Sequence, residues 1–205
     1  MDLTELQKNV LVGCLLGDAN LQTETQGRTW RLRMLHGEGQ KDYIDAKYEL
    51  FKEFCSKEVF LLTTKPDNRT GKISKRYAFN TKVCDCFRHY GNMFYEYDKK
   101  KRVFVKKVPV NIKKLLTGHS LAYWFMDDGA AKATNTQGVR LCSEGFSYEE
   151  NERLCSALTE KFGLKVTLNK QGTRYRLYIS AKSFPVFKDL VYEHIHPTLL
   201  YKLPF

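Results

Sequence analysis

Five pairs of segments recur in the same order along this 205-residue chain, and no other feature limits the possible folds as much. LVGCLLGDAN (Leu11 to Asn20) is answered by SLAYWFMDDGAAK (Ser120 to Lys132), each a short apolar run that ends on an acid beside small residues. Glu38-Gly39 with the helical stretch KDYIDAKYELFKEF is answered by Glu144-Gly145 with SYEENERLCSALTEKF. Lys57-Glu58-Val59 is answered by Lys165-Val166, and Lys107-Val108-Pro109 by Lys202-Leu203-Pro204. RYAFNTKVCDCF (Arg76 to Phe87) and RLYISAKSFPVF (Arg176 to Phe187) match at a constant offset of 100, pairing Arg76 with Arg176, Lys82 with Lys182 and Phe87 with Phe187. A tandem duplication accounts for all five, with similar halves at 1–107 and 108–205.

Each half has the same layout. In the first, Thr4-Glu5-Leu6-Gln7 has the form of a capping box that opens the helix carrying LVGCLLGDA. Strands follow at about 20–25 and 29–36 with Gly27 in the turn, then a helix at about 41–55 with an apolar stripe of Tyr43, Ala46, Tyr48, Leu50, Phe51 and Phe54. Strands at about 59–65 and 73–80 and a helix at about 82–95 complete the half. The second half repeats this: a helix to about Asp127, strands near 130–134 and 138–143, a helix at 148–162, strands at 165–170 and 173–180, and a helix at 182–194. The unit is αββαββα, twice. Each half has to bury one face of an antiparallel sheet under helices, which makes the class α+β.

Lys and Arg number 34 against 23 Asp and Glu, a net charge of +11 that directs the chain to a polyanion. The longest apolar run, Val10 to Leu16, is far below the ~18 residues a membrane span needs, and no broad basic amphipathic helix favours a membrane surface. MDLTELQKNV is neither a secretory signal nor a transit peptide, so the expected setting is intracellular. Cys14, Cys55, Cys84, Cys86, Cys142 and Cys155 lack C-x-x-C spacing and read as reduced thiols. Cys84-Asp85-Cys86 is a poor metal candidate, because alternate residues of a helix point apart.

Strand alternation sorts the polar side chains onto one face. Trp30, Leu32 and Met34 oppose Arg31 and Arg33, while Tyr77 and Phe79 oppose Arg76 and Asn80. Val166 and Leu168 oppose Lys165, Thr167 and Asn169, and Tyr175, Leu177 and Ile179 oppose Arg174, Arg176 and Tyr178. These outer faces carry almost no carboxylate. With Lys72, Lys75 and Arg140 they form a DNA-contacting set suited to the major groove, where Arg reads guanine and Asn reads adenine. The connector EYDKKKRVFVKKVPVNIKK reads as a solvated charged linker or as a further contact to a nucleic-acid backbone.

Asp18 ends a helix with Gly13 and Gly17 in G-x-x-x-G spacing, which lets another backbone approach closely. If a pseudo-two-fold axis relates the halves, the two apolar helices pack side by side and bring Asp18 to Asp128. Two carboxylates that close require a cation, and hard oxygens suit Mg²⁺. The chemistry implied is metal-assisted phosphodiester hydrolysis, with Lys107 and Lys202 at the periphery polarising water or neutralising charge on the transition-state phosphate. Lys106 rivals Lys107, and sequence alone does not separate them.

Both stretches resemble the LAGLIDADG motif of homing endonucleases: Leu11 to Ala19 places Asp18 at the acidic eighth position and Leu121 to Gly129 places Asp128 there. SLAYWFMDDG and the terminal YKLP are similar to the single-chain, two-motif type represented by the yeast mitochondrial omega-intron enzyme. The resemblance implies two αββαββα halves with saddle-shaped sheets astride a long asymmetric double-stranded DNA target. It also implies a monomer that uses two or more Mg²⁺ ions to cut both strands across the minor groove, leaving 3′ overhangs. By motif position Asp18 and Asp128 are metal ligands, helped by the carbonyls of Gly17 and Asp127. Tyr123 and Asp127 stand where the family prefers small residues, so a looser nesting of the helices is expected there.

The resulting expectation is a site-specific DNA endonuclease, intron-encoded and made inside an organelle if its intron lies there. The alternative is an RNA-binding maturase that acts on its own intron RNA. A DNA-binding regulator without cleavage ranks below both, because such proteins usually lose an acid and neither acid is lost here.

Overall fold

The computed structural model describes residues 2–67, 69–71, 73–133 and 136–204. Lys72, one of the expected DNA contacts, lies outside the described residues, as does Thr134 at the end of an expected strand. The chain divides into two compact units, one built from Asp18–Gly91 with the first three residues and the other from Thr4–Gly17 with Asn92–Phe205.

The first unit holds strands β1 (Asn20–Gln22), β2 (Arg31–Gly37), β3 (Phe60–Thr63) and β4 (Lys75–Asn80) in one antiparallel sheet of order β1-β2-β4-β3. β1 stops early because residues 23–29 close on their own side chains. Thr23 Oγ1 accepts from the Gly27 amide at 3.0 Å and Thr25 Oγ1 from the Thr29 amide at 2.8 Å. Helix α2 (Lys41–Phe51) lies on this sheet, burying Tyr43, Ile44, Lys47 and Phe51. Helix α3 (Arg88–Phe94) begins in this unit and carries the chain out of it.

The second unit repeats the sheet with β7 (Gly129–Ala133), β8 (Thr136–Leu141), β9 (Val166–Gln171) and β10 (Arg174–Ile179) in the order β7-β8-β10-β9. Helix α6 (Tyr148–Phe162) covers it; a Ser147 capping box opens this helix and Gly163 at φ 67° ends it. The unit also contains both motif helices, α1 (Glu5–Leu16) and α5 (Gly118–Asp128), with the short α4 (Ile112–Leu115) and α7 (Phe184–Val191). Both expected αββαββα layouts are present as pseudo-repeats. The Thr4 capping box forms, with the Thr4 amide donating to Gln7 Oε1 at 2.8 Å and the Gln7 amide to Thr4 Oγ1 at 3.2 Å.

Two expectations need correction. The basic connector is not a plain linker, because Tyr95–Asp98 (β5) and Val103–Lys106 (β6) pair as a hairpin. Its turn is held by Asp98 Oδ1, which accepts from the Lys100 and Lys101 amides at 2.9 and 3.0 Å. The offset of 100 also fails within the sheets. Arg33 lies opposite Asn80 and Arg140 opposite Tyr178, while Arg33 and Arg140 sit opposite Asn20 and Ala130, each two residues beyond its motif acid. Asn80 therefore corresponds to Tyr178 and Ala78 to Arg176. The match of Arg76 with Arg176 followed residues on the polar face, whose identity the buried pattern does not constrain.

Candidate active site

Helix α1 can be apolar to its end because α5 covers it. A Cβ on Gly13 would strike the Ser120 carbonyl and lie 2.9 Å from the Tyr123 Cβ, and one on Gly17 would lie 2.6 Å from the Asp127 Cβ. The bulky Tyr123 and Asp127 thus stand over bare glycine backbone, so the two departures from the family pattern are absorbed by close nesting rather than by a looser fit.

The acids at the motif ends have different surroundings. Asp127 is buried against Gly17 at 8% exposure, whereas Asp128 is half-buried and its carbonyl accepts from the Cys142 amide at 2.9 Å. Burial, and after it the Glu144 and Asp128 carboxylates, push the Cys142 thiol above its usual range. Asp18 keeps a half-exposed side chain, with Oδ2 3.5 Å from Nδ1 of the buried His36.

Each motif end also receives a lysine from a distant segment. Lys106 Nζ donates to the Gly17 carbonyl at 3.1 Å, and Lys202 Nζ donates to the Met126 carbonyl and to the Asp127 carbonyl at 3.2 Å. Gly17 and Asp127 occupy the same motif position, directly before the eighth-position acid, so the two lysines are counterparts. Lys107 is not in this set: its Nζ pairs with Glu96 at 3.5 Å. The match of Lys107-Val108-Pro109 with Lys202-Leu203-Pro204 misled because Lys106 ends an extended strand while Lys202 ends a 3₁₀ turn, and a one-residue slip in a strand reverses the face. Alternation offered a signal, since Lys106 shares its face with Phe104, which is turned inward while Val103 and Val105 are exposed.

The sheet faces sort the DNA-contacting candidates. In the first unit Arg31 and Arg33 alternate with buried Leu32, Met34 and His36, and Arg33 lies opposite Asn80. Arg31 Nε donates to Gln22 at 3.2 Å and its guanidinium meets Glu24 at 3.1 Å. Arg76 shares a face with Asn80, but Lys75 alternates with it and pairs with Glu38 at 3.4 Å. In the second unit Arg140 lies opposite Tyr178, Tyr178 opposite Thr167 and Arg176 opposite Asn169, so these residues form rows on one face with Arg174. Lys165 immediately precedes β9 and is exposed. Arg176 is ion-paired with Glu144. Sequence reasoning passed over Lys132, which stands 4.4 Å over the Tyr178 ring.

The donors at the motif ends are carboxylate and carbonyl oxygens, a set that fits a hard divalent cation rather than a thiophilic one. All six cysteines are free thiols. Among the described residues no helix is long and apolar enough to cross a membrane.

The profile of the LAGLIDADG DNA endonuclease family matches residues 8–187. The chain is 36% identical to DNA endonuclease I-ChuI of Chlamydomonas applanata, over 99% of this chain and 96% of that protein. The chain belongs to the LAGLIDADG DNA endonuclease family. Members of this family generally use a divalent metal. A solved structure titled the homing endonuclease I-WcaI bound to its DNA recognition sequence superposes with a TM-score of 0.90 at 28% identity, covering 100% of this chain and 88% of that one. Cytochrome b mRNA maturase bI2 of Debaryomyces hansenii is 28% identical over 95% of this chain and 72% of its own length.

Proposed function

We propose that this LAGLIDADG family member is a site-specific homing endonuclease that makes a Mg²⁺-dependent double-strand break with 3′ overhangs in a long asymmetric DNA target. The observation that carries the reading is the equal treatment of the two motif ends, where Lys106 and Lys202 donate to the carbonyls directly before Asp18 and Asp128. Asp18 and Asp128 are the proposed metal ligands, with the carbonyls of Gly17 and Asp127 as helpers. Bound Mg²⁺ supplies an activated water and charge stabilisation on the leaving oxygen. Lys106 and Lys202 hold the two carbonyls and place positive charge where phosphate charge develops, and Lys106 takes this role in place of Lys107. The basic rows on both sheets hold the duplex, and their positioning contacts with phosphate make binding steeply salt-dependent. The chain acts as a monomer in this reading, since it carries both motifs itself. Its resemblance to the maturase supports an origin in an organellar intron and a second reading, in which the same basic faces bind intron RNA.

The deciding experiment incubates the protein with DNA carrying the intronless insertion site, with Mg²⁺ or with EDTA. Cutting is expected with Mg²⁺ alone, and Asp18→Asn and Asp128→Asn are expected to bind without cutting. Tight binding of intron RNA with no DNA cutting supports the maturase reading instead. Normal cutting by either Asn variant removes that acid from the metal site.

A further inference from the structure

Strand β2 buries Trp30, Leu32 and Met34, and its next inward position is His36, 3% exposed. Helix α2 buries Lys47, 1% exposed, between Tyr43 and Phe51. Two ionisable side chains in an aromatic core are unfavourable unless each satisfies the other. Lys47 Nζ lies 2.9 Å from His36 Nε2 and 4.1 Å from the centroid of the Tyr43 ring. On the far side of the imidazole, Nδ1 lies 3.5 Å from Asp18 Oδ2. Lysine, histidine and aspartate therefore stand in line.

The charge of Lys47 sets the polarity of the line: as an ammonium group it only donates, and His36 Nε2 then accepts from it. A neutral imidazole with Nε2 as acceptor carries its proton on Nδ1, the atom that faces Asp18. A doubly protonated ring would set two cations nose to nose with no acceptor between them. A histidine beside a carboxylate would ordinarily count as a metal ligand, but in this tautomer the lone pair of Nδ1 is taken by its proton, and the ring donates toward Asp18 instead.

We propose that Lys47 and His36 are positioning residues that orient the Asp18 carboxylate, Lys47 by fixing the imidazole tautomer and His36 by donating Nδ1–H to Oδ2. The proposal rests on Asp18 being a metal ligand. By sheet register the counterpart of His36 is Ser143, three residues beyond Arg140 as His36 is beyond Arg33. Ser143 donates to Asn151 Oδ1 at 2.5 Å, and Asn151 Nδ2 donates to the carbonyls of Ser143, Phe146 and Ser147. That network is neutral and fastens a loop. The counterpart position thus carries no imidazole, and because Lys47 and His36 face Asp18, the strand cleavage that Asp18 serves is the one that depends on them.

The first test needs no metal and no variant. Long-range ¹H–¹⁵N spectra of the metal-free protein, labelled on histidine, are expected to show His36 as the Nδ1–H tautomer, and Lys47→Met is expected to abolish that preference. An Nε2–H or doubly protonated His36 in the wild type overturns the proposal. The second test follows each strand of an end-labelled target under single-turnover conditions with Mg²⁺. His36→Gln and Lys47→Met should slow one strand by about 10- to 100-fold, so that nicked duplex accumulates. His36→Asn, whose amide N–H falls near the Nδ1 position, should recover most of the rate. Equal slowing of both strands, or wild-type cutting by His36→Gln, overturns the relay. Normal cutting by Asp18→Asn overturns the underlying reading of Asp18 instead, so the two failures are distinguishable.

Discussion

The Asp127 side chain fills the space that a side chain on Gly17 would need, with its Cβ 2.6 Å and its Oδ2 2.8 Å from where a Gly17 Cβ would stand. Gly17→Ala therefore forces the α5 backbone to shift, since a new Asp127 rotamer relieves the Oδ2 contact but not the Cβ contact, an overpacking cost of about 1–3 kcal/mol. Gly13→Ala should cost more, because the Ser120 carbonyl in its way is backbone and cannot rotate aside. Urea unfolding of a double-mutant cycle checks both points. Asp127→Ala should recover part of the loss in Gly17→Ala and none of the loss in Gly13→Ala.

Lys106 and Lys107 are adjacent in sequence but bond to different groups, the Gly17 carbonyl and the Glu96 carboxylate. Lys106→Met should lower the single-turnover cleavage rate by about 10²-fold, in line with the loss of one preorganised charge donor. Lys107→Met removes a surface ion pair of small worth and should change the rate by roughly twofold or less. Gel quantification of both variants at saturating Mg²⁺ decides the assignment, and equal losses would return Lys107 to the site.

Glu144 holds Arg176 in an ion pair in which each side chain is only about a fifth exposed, 21% and 20%. The carboxylate competes with any phosphate or base edge that Arg176 meets. Glu144→Gln should tighten binding to an unrelated duplex and steepen the slope of log affinity against log salt by about one. Fluorescence anisotropy at several salt concentrations measures the slope, and an unchanged slope would mean that Arg176 does not meet the duplex.

The repeat was legible because core positions are tightly constrained. Leu32, Met34, Leu177 and Ile179 fall on the buried faces that alternation assigns them. Polar-face positions carry no such constraint, and this is why the offset of 100 aligned Arg76 with Arg176 while the register sets Ala78 against Arg176. The relay was missed for a related reason. Lys47 lies on the apolar stripe of α2 one turn from Tyr43 and from Phe51, and His36 continues the inward series Trp30, Leu32, Met34. A polar residue at a core position of each periodic pattern was a readable signal, but it appears only when the pattern is scored without regard to residue type. The hairpin of β5 and β6 was hidden by its charge, although the VFV run in the connector has the β-branched and aromatic residues that strands favour.

His194 stacks on His119 with ring centroids 3.6 Å apart and planes 19° from parallel. Burial first, and then the neighbouring His119, hold the His194 pKa below its ordinary 6.5, with Glu193 pulling partly back. The fold therefore favours neutral His194, and the unfolded chain takes up the proton at higher pH than the folded one. The resulting stabilisation is complete above the unfolded value and is lost as pH falls through 6.5 toward the lowered folded value. Thermal melts between about pH 7.5 and 5.5 should show the loss as a falling melting temperature. His119→Phe keeps a ring in the stack but removes its charge, so its melting temperature should fall less over the same range. Burial remains in that variant, so the dependence is shallower and not absent. Identical pH profiles for wild type and variant would leave burial of His194 as the whole cause and remove His119 from the effect. His119 lies in the first turn of α5, the helix that ends on Asp127 and Asp128, so the stacked pair is at the opposite end of that helix from the motif acid.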